Sequence, residues 1–406
     1  MQPSPQPDGF LADLRSAVAQ RDPTTAIDRL RESDPVHWVE EFGAWIVTRH
    51  DDVRQLFADP RLTPDPRARA RADDEPDPTM RWTAQNPFFG DNRARARRLV
   101  SAALTPRAVA RMEHQVAEVV EQFAAPLRGR TGMVDLLAEF ATPIPGIVIS
   151  RIAGVPPRGK REERFRKLAR KTVRGLNPTL SPSKSESTER HMAEMFDYIR
   201  ALTVQRVAAP GDDLISDLLA ASGECSLESI EEIVQVVGAL VSTGTEATAL
   251  AATRAIRSLL QHPDQLALLR AQRALLPDAV EELLRWDSGL SEMPRYALES
   301  FELRGKTIAK GQVVILSLLG AHRDPRVFTF PNRLDLRRAP KDLIGFGYGE
   351  HYCIGAPLAR TELRLMIAAA LDFLPPDARV LEDRVRWSDK ALTGRIKSLP
   401  VDFGSA

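Results

Sequence analysis

Apolar residues recur at helical spacing along most of this chain, and short apolar runs lie near its two ends. One face of residues 229–261 is apolar, at Ile230, Ile233, Val234, Val237, Leu240 and Val241. This spacing predicts one long amphipathic helix. Ser229 and Glu232 fit a capping box at its start, and Pro263 follows its end. At about 1.5 Å per residue the helix would be about 50 Å long, so we expect it to form a central spine.

The remaining pattern predicts a hairpin, several shorter helices and a few polar loops. Residues 35–47 contain two apolar, aromatic-rich runs separated by polar residues and a glycine, which is typical of a hairpin. Helices are predicted at 51–59, 91–104 and 357–374, strand-like chain at 296–318, and loops at 64–79 and 180–189. The loop at 180–189 fits either a solvated connector or a lid over an entrance. Because helices dominate, we expect a mainly α fold with small β-sheets (α+β), formed as a single domain over 1–406.

Composition and charge exclude several classes of protein. The 56 Lys and Arg residues balance 55 Asp and Glu residues, giving a net charge of +1, so no global charge attracts nucleic acid or an anionic membrane. We see no uninterrupted apolar run of about 18 residues, as a membrane span needs, and we expect no signal peptide in residues 1–14. Cys225 and Cys353 are too few for a four-thiolate cluster. So few thiols favour a reduced, cytoplasmic protein.

The centre of the long helix departs from its own pattern. Residues 242–248 are mostly Ser, Thr, Gly and Glu, and a glycine inside a helix costs about 1 kcal/mol. Such a local break is typical of a functional site. It also fits an ordinary polar stripe that faces solvent, and the pattern alone favours neither.

The segment before residue 356 concentrates glycines around Cys353. A single cysteine is usually a small buried hydrophobe, and a phosphate-binding G-x-G-x-x-G loop is excluded because position 350 is Glu. A thiolate ligand to a flat macrocycle explains the arrangement better, because glycines let the backbone approach closely. Backbone N–H groups could then tune the sulfur, and Phe346 could shield it from water.

Residues 346–355 resemble the cysteine-loop signature of the cytochromes P450, F-G-x-G-x-H-x-C-x-G, at every fixed position. The resemblance implies a soluble, bacterial-type haem-thiolate enzyme with the P450 fold, a triangular helix-rich domain whose long helix lies over the haem. Cys353 would be the axial ligand to the iron of haem b (iron protoporphyrin IX). Phe346, Gly347 and Gly355 would belong to the cofactor loop.

Further segments match the family in the same order along the chain. Glu282 and Arg285 resemble the E-x-x-R pair, a structural lock that binds the meander before the cysteine loop; alone, such a pair would be an exposed ion pair worth a few tenths of a kcal/mol. His322 lies in the meander where the family usually has Asn. The cations that bind the haem carboxylates map to His351, Arg295, Arg93 and Arg97. The family usually has His at the position of Arg93, and the planar fork of Arg can replace it.

Residues 243–248 resemble the family's A-G-x-E-T-T segment, with roles expected for Thr243, Gly244, Glu246, Ala247 and Thr248. Gly244 would leave room for O2 and water, and Glu246 would relay protons. Ala247 stands where the family usually has Thr, and it cannot donate the hydrogen bond of that hydroxyl. A substrate hydroxyl, an ordered water held by Glu246 with Thr243 or Thr248, or a reaction without normal O–O cleavage could each compensate.

The resemblance implies a monooxygenase that uses O2 and two electrons from a ferredoxin-type donor with its reductase. Its substrate would be a small to medium apolar molecule, of polyketide, terpenoid or steroid type, from secondary metabolism. By location the pocket would include 82–90, Ala239, Thr243, 290–293 and 392–394, and the donor would dock on Arg93, Arg97, Arg98 and Arg360. The alternatives are an atypical oxidation such as coupling or rearrangement, because of Ala247, and a haem-binding protein without turnover. No nucleic-acid or membrane partner is expected.

Overall fold

A computed structural model describes residues 23–69, 86–88, 92–156, 159, 163–165, 167–169, 171, 185–388 and 394–405. Its α-helices are α1 Thr24–Ser33, α2 His50–Ala58, α3 Arg93–Ala103, α4 Pro106–Ala124, α5 Pro143–Ile152, α6 Ser185–Ala208, α7 Leu214–Ser222, α8 Leu227–Thr243, α9 Glu246–Gln261, α10 Pro263–Ala271, α11 Leu276–Trp286, α12 Leu318–His322 and α13 Ala356–Phe373. Its strands are β1 Val36–Val39, β2 Ala44–Val47, β3 Leu62–Thr63, β4 Met133–Asp135, β5 Glu292–Ala297, β6 Phe301–Leu303, β7 Lys306–Ile308, β8 Val313–Ser317, β9 Arg379–Val380, β10 Arg386–Ser388, β11 Arg395–Ser398 and β12 Pro400–Asp402. The predicted fold class, mainly α with small sheets, is confirmed.

The prediction of one unbroken helix over 229–261 is wrong in two respects. The chain turns at Gly244 and Thr245, so that α8 ends at Thr243 and α9 begins at Glu246. The start also differs, because Ser226 caps α8 by accepting the amide N–H of Ser229 at 3.2 Å. Ser229 lies inside α8, three residues after the cap, and therefore cannot lead a capping box; its hydroxyl donates to the Ser226 carbonyl at 2.9 Å.

The stretch Leu227–Gln261 is long and apolar enough to cross a membrane, by length and composition alone. Its mean hydropathy reaches 1.3 over 18 residues, and 67% of those residues are buried inside the protein. Core helices of soluble proteins have the same character. Burial against neighbouring helices therefore accounts for the apolar composition.

One compact unit comprises residues 1–73, 254–353 and 379–400. Its five-stranded sheet has the order β1-β2-β8-β5-β3, with β2 parallel to β8 and the other pairs antiparallel. The predicted hairpin over 35–47 is confirmed as β1 and β2, with Val36 opposite Val47. The apolar side of this sheet packs with side chains of α2 and α12, and this packing fixes the position of β5.

The second compact unit comprises residues 74–253, 354–378 and 401–406. Here α4 packs on α13, α6 on α8, and α7 on α3. The predicted loop at 180–189 is wrong over 185–189, because α6 already begins at Ser185. This polar run leads into the apolar face of α6, which begins at the buried Met195. The single domain over 1–406 remains a prediction.

Candidate functional site

Backbone hydrogen bonds between its own residues define the conformation of the cysteine loop, residues 344–353. The amide of Gly347 donates to the carbonyl of Ile344 at 2.9 Å, and the amide of Cys353 donates to the carbonyl of Phe346 at 2.8 Å. Gly347 and Gly349 have φ values of +78° and +71°, in the left-handed region that disfavours residues with a Cβ. The loop therefore folds back on itself and ends with the Cys353 side chain exposed.

Helix α2 packs against the cysteine loop. A Cβ on Gly349 would lie 3.1 Å from the Cβ of Ala58, and one on Gly347 would lie 3.8 Å from the ring of Phe57. The glycines thus allow a close approach that side chains would prevent. Phe346 is half-buried, and its ring lies 6.5 Å from that of Tyr352.

Arg295 is a buried cation on β5, and it packs on Phe57, the residue of α2 that lies next to Gly347. Its guanidinium lies 4.9 Å over the ring of Phe57 and donates to the carbonyl of Pro294 at 2.9 Å. Burial lowers the pKa of Arg295 to about 10, and no carboxylate contacts it in the described part of the chain. A buried charge without an opposite charge beside it is costly. A cofactor carboxylate would satisfy it, so Arg295 and the exposed thiol of Cys353 fit a haem with thiolate ligation.

The predicted lock between Glu282 and Arg285 is present and fully buried. The Arg285 Nε donates to Glu282 Oε2 at 2.7 Å, and Nη2 donates to Oε1 at 2.9 Å; both side chains are 0% exposed. Arg285 also donates to the carbonyls of His322 and Pro331, at 2.8 and 2.9 Å. A buried pair of this kind is costly to break, unlike the exposed pair that the motif alone could have been.

Arg338 completes this lock from the meander. Its Nε donates to Glu282 Oε1 at 3.0 Å, and its Nη2 donates to the carbonyl of Arg333 at 3.0 Å. Glu282 therefore joins two guanidinium groups. This role of Arg338 was not predicted, because spacing along the chain does not show which arginine reaches the glutamate.

In the second unit, the predicted oxygen-activation residues lie at the turn between α8 and α9. A Cβ on Gly244 would lie 2.9 Å from the carbonyl oxygen of Leu240, so glycine permits the turn. Thr243 is exposed and Glu246 is half-buried, whereas residues 239–242 just before them are buried. The turn therefore opens an accessible patch in an otherwise buried helix pair.

The hydroxyls on either side of Ala247 are already used as donors. Thr243 Oγ1 donates to the carbonyl of Ala239 at 2.8 Å, and Thr248 Oγ1 donates to that of Gly244 at 3.4 Å. Each oxygen keeps lone pairs that can accept. Neither threonine therefore supplies the free hydroxyl donor that the Ala247 position lacks.

The other predicted cofactor residues lie on elements of both units. Arg93 and Arg97 are half-buried and one turn apart on α3, while Arg95 is paired with Glu232 at 2.8 Å. His351 is half-buried and ends a short 3-10 turn. Gly355 precedes α13 with a φ of −84°. The roles of these residues, and of Arg98 and Arg360 in donor docking, remain predictions.

The predicted pocket segments are only partly described. Residues 86–88 of 82–90 and Gly394 of 392–394 are within the described chain, and the rest of both segments lies outside it. Residues 292–293 begin β5, and Ala239 is buried in α8. The pocket therefore remains a prediction.

The comparisons with known proteins agree with these features. The chain matches the family model Cytochrome P450 over residues 38–373. It is 33% identical to the cytochrome P450 monooxygenase PikC of Streptomyces venezuelae, over 94% of this chain and 91% of that protein. It is 31% identical to the 6-deoxyerythronolide B hydroxylase of Saccharopolyspora erythraea, over 96% and 98%. The structure of the Bacillus subtilis polyketide synthase cytochrome P450 PksS superposes with a TM-score of 0.83 at 30% identity, over 96% and 99%.

Proposed function

The chain belongs to the cytochrome P450 family and is a haem-thiolate monooxygenase, and we propose that it binds haem b and oxidises an apolar, hydroxyl-bearing secondary metabolite. The observation that carries the proposal is the exposed Cys353 thiol at the end of a tightly hydrogen-bonded loop. When bound, haem would supply the activation of O2 and the transfer of one oxygen atom to the substrate.

In this proposal the residues of the chain bind the haem and orient it. Cys353 would bind the iron, and hydrogen bonds from backbone amides of the loop would reduce the negative charge on its thiolate sulfur. Arg295 would bind a haem carboxylate through charge-assisted hydrogen bonds, which would relieve the cost of its burial. By resemblance, His351, Arg93 and Arg97 would bind the haem carboxylates as well.

Proton delivery is the step in which this chain departs from its family. Glu246 lies in the first turn of α9 and is accessible, so it can hold or move a proton at its carboxylate. Ala247 offers no donor, and the hydroxyl protons of Thr243 and Thr248 are donated to carbonyls. We infer that a substrate hydroxyl supplies the missing hydrogen bond, together with water held at Glu246.

The relatives support this substrate class. Proteins about as similar to this chain as PikC include one named for mycinamicin IV and one for 6-deoxyerythronolide B. A polyketide with several hydroxyls would meet the requirement set by Ala247. Electrons would come from a ferredoxin-type donor with its reductase, in the cytoplasm.

Spectral titration of the ferric protein tests the proposal. The panel consists of polyketides, terpenoids and steroids, each paired with a deoxy analogue that lacks one hydroxyl. We expect a shift from low to high spin with one class, and turnover of the hydroxylated members alone. A reduced protein whose carbon monoxide complex lacks the thiolate-type Soret band would refute the assignment of Cys353.

Two variants at one position isolate the missing hydroxyl. Ala247→Thr should raise the product formed per NADPH for the deoxy analogues, because it restores a donor. Ala247→Val has nearly the shape of Thr without a hydroxyl and should not. Equal behaviour of the two variants would refute substrate-assisted proton delivery.

A second candidate is an atypical oxidation such as coupling or rearrangement, which Ala247 favours because such a reaction does not depend on the lost donor. Its signature would be a product that contains no oxygen from labelled O2. Incorporation of one labelled oxygen atom per product would exclude it for the substrate tested.

A further inference from the structure

A continuous series of contacts leads from the Glu282–Arg285 lock to the cysteine loop through His322. Arg285 Nη1 donates to the backbone carbonyl of His322 at 2.8 Å. The imidazole of His322 then accepts the backbone amide of Ile344, with Nε2 3.1 Å from the amide nitrogen. Ile344 is the residue whose carbonyl accepts Gly347, so His322 holds the first residue of the loop that ends at Cys353.

The imidazole is suited to act as an acceptor. His322 is 1% exposed, and burial, with the nearby Arg285, His50 and Arg323, lowers its pKa to about 3. The ring is therefore neutral at ordinary pH. Because Nε2 accepts the Ile344 amide, the ring proton lies on Nδ1.

The ring also limits where the loop backbone can lie. A Cβ on Gly345 would be 3.2 Å from His322 Cε1, and the ring of Phe328 stands edge-on, 6.3 Å away. The imidazole thus contacts two successive residues of the loop, one by a hydrogen bond and one by packing. A side chain that only filled space would need no acceptor facing the Ile344 amide.

We propose that His322 is a positioning residue for the iron ligand: its Nε2 fixes Ile344 and Gly345, and thereby the path of the cysteine loop to Cys353. The role rests on the proposed function, since it concerns the thiolate that would hold the haem. It also assigns a task to a histidine at a position where the resemblance predicts asparagine.

Two substitutions at His322 and one elsewhere test this role. His322→Leu keeps an apolar group of similar size and removes the acceptor, whereas His322→Gln keeps an amide oxygen near the place of Nε2. His262→Leu is the control, because His262 also has a backbone hydrogen bond, to the Ser258 carbonyl at 2.7 Å, and packs on Trp286. Gly345→Ala displaces the ring without replacing it.

The readouts are the proportion of thiolate-type Soret band in the reduced carbon monoxide complex, the rate of haem transfer to apomyoglobin, and hydrogen exchange of the Ile344 amide. For His322→Leu we expect a loss of thiolate-type band and haem transfer faster by about tenfold, equivalent to about 1.4 kcal/mol. Exchange at Ile344 should also accelerate. His322→Gln should restore most of the wild-type values, and Gly345→Ala should change them in the same direction as His322→Leu.

The outcomes separate the two hypotheses. If wild-type protein gives no thiolate-type band, the proposed function fails, and the role of His322 toward haem fails with it. If wild-type protein gives the band, and His322→Leu and Gly345→Ala match His262→Leu in all three readouts, the positioning role alone is refuted. Should His322→Leu not fold, His322→Gln and Gly345→Ala still decide between these outcomes.

Discussion

Replacement of the buried acid Glu362 by a neutral amide should make the protein more stable at neutral and higher pH. Glu362 lies on α13, nine residues after Cys353, and is 3% exposed. Its Oε2 atom has no hydrogen-bond partner within the described residues. Burial raises the pKa of Glu362 to about 8, so its carboxyl group is protonated at neutral pH in the folded protein.

The raised pKa makes stability depend on pH with a definite sign. An unfolded chain releases the Glu362 proton near its ordinary pKa of 4.5, whereas the folded protein keeps it until the pH passes about 8. Between these values the unfolded state binds fewer protons, so the free energy of unfolding falls as the pH rises. At neutral pH the free energy of unfolding is lower by about 3 kcal/mol, since each pH unit above the ordinary pKa lowers it by about 1.4 kcal/mol.

Glu362→Gln removes the titration and keeps the size of the side chain. Compared with wild type, the variant should be more stable by about 4 kcal/mol at about pH 8, and by less than about 1 kcal/mol at about pH 5. Urea unfolding at a series of pH values measures both numbers. Glu113→Gln is the control, because the Glu113 side chain on α4 is 42% exposed and pairs with Arg364 of α13 at 2.7 Å. Its effect should stay within about 1 kcal/mol.

A different result would refute the reasoning. If Glu362→Gln lowers stability by the same amount at every pH, the carboxyl group makes a specific contact that the amide cannot make. If the variant and wild type lose stability in parallel between about pH 5 and 8, Glu362 does not titrate in this range and is not a neutral buried acid.

Three further substitutions test the packing around the cysteine loop. Arg295→Leu should weaken haem binding by about 10- to 100-fold, since a hydrogen bond to a charged group contributes about 1.5–3 kcal/mol; unchanged haem transfer to apomyoglobin would contradict this. Gly349→Ala should destabilise the protein by more than the about 1–2 kcal/mol that a left-handed backbone alone costs a residue with a Cβ. It should also cost more than Gly43→Ala, because a Cβ on Gly43 meets no atom within 4 Å. Equal urea midpoints for the two variants would exclude the contact with Ala58. Glu282→Gln should cost about 3–5 kcal/mol and Glu232→Gln at most about 1 kcal/mol. Equal losses in urea unfolding would refute the large stabilisation expected of the buried lock.

The parts of the site that follow from local spacing could be predicted from the sequence. The cysteine loop was recognisable by its resemblance to the family signature, in which glycines and a thiol stand at fixed intervals. Glu282 and Arg285 were recognised by the same resemblance, and their i, i+3 spacing places them on one helix face. The hairpin over 35–47 had the same advantage. In each case the physical requirement acts between residues that are close along the chain.

The exact ends of the helices and the burial of single side chains could not be predicted. The weak pattern at 242–248 indicated a site, but the end of one helix and the start of another at Gly244 depend on how closely the backbone can approach Leu240. Ser226 and Ser229 are equally good caps by composition, and only the hydrogen bond in the structure selects Ser226. Glu362 has the pattern of an ordinary helical glutamate, because sequence does not show which face of α13 is buried.

The parallel pairing of β2 with β8 has a consequence for folding during synthesis on the ribosome. Trp45 and Gln312, joined by a side-chain hydrogen bond of 2.8 Å, are 267 residues apart. At about 5–20 residues per second, the hairpin of β1 and β2 must wait roughly 10 to 50 s for the strand that covers its inner edge. During that time an apolar edge is open to pairing with other chains. Slowing translation between the two strands should therefore lower the yield of active enzyme, whereas slowing it after residue 317 should have little effect.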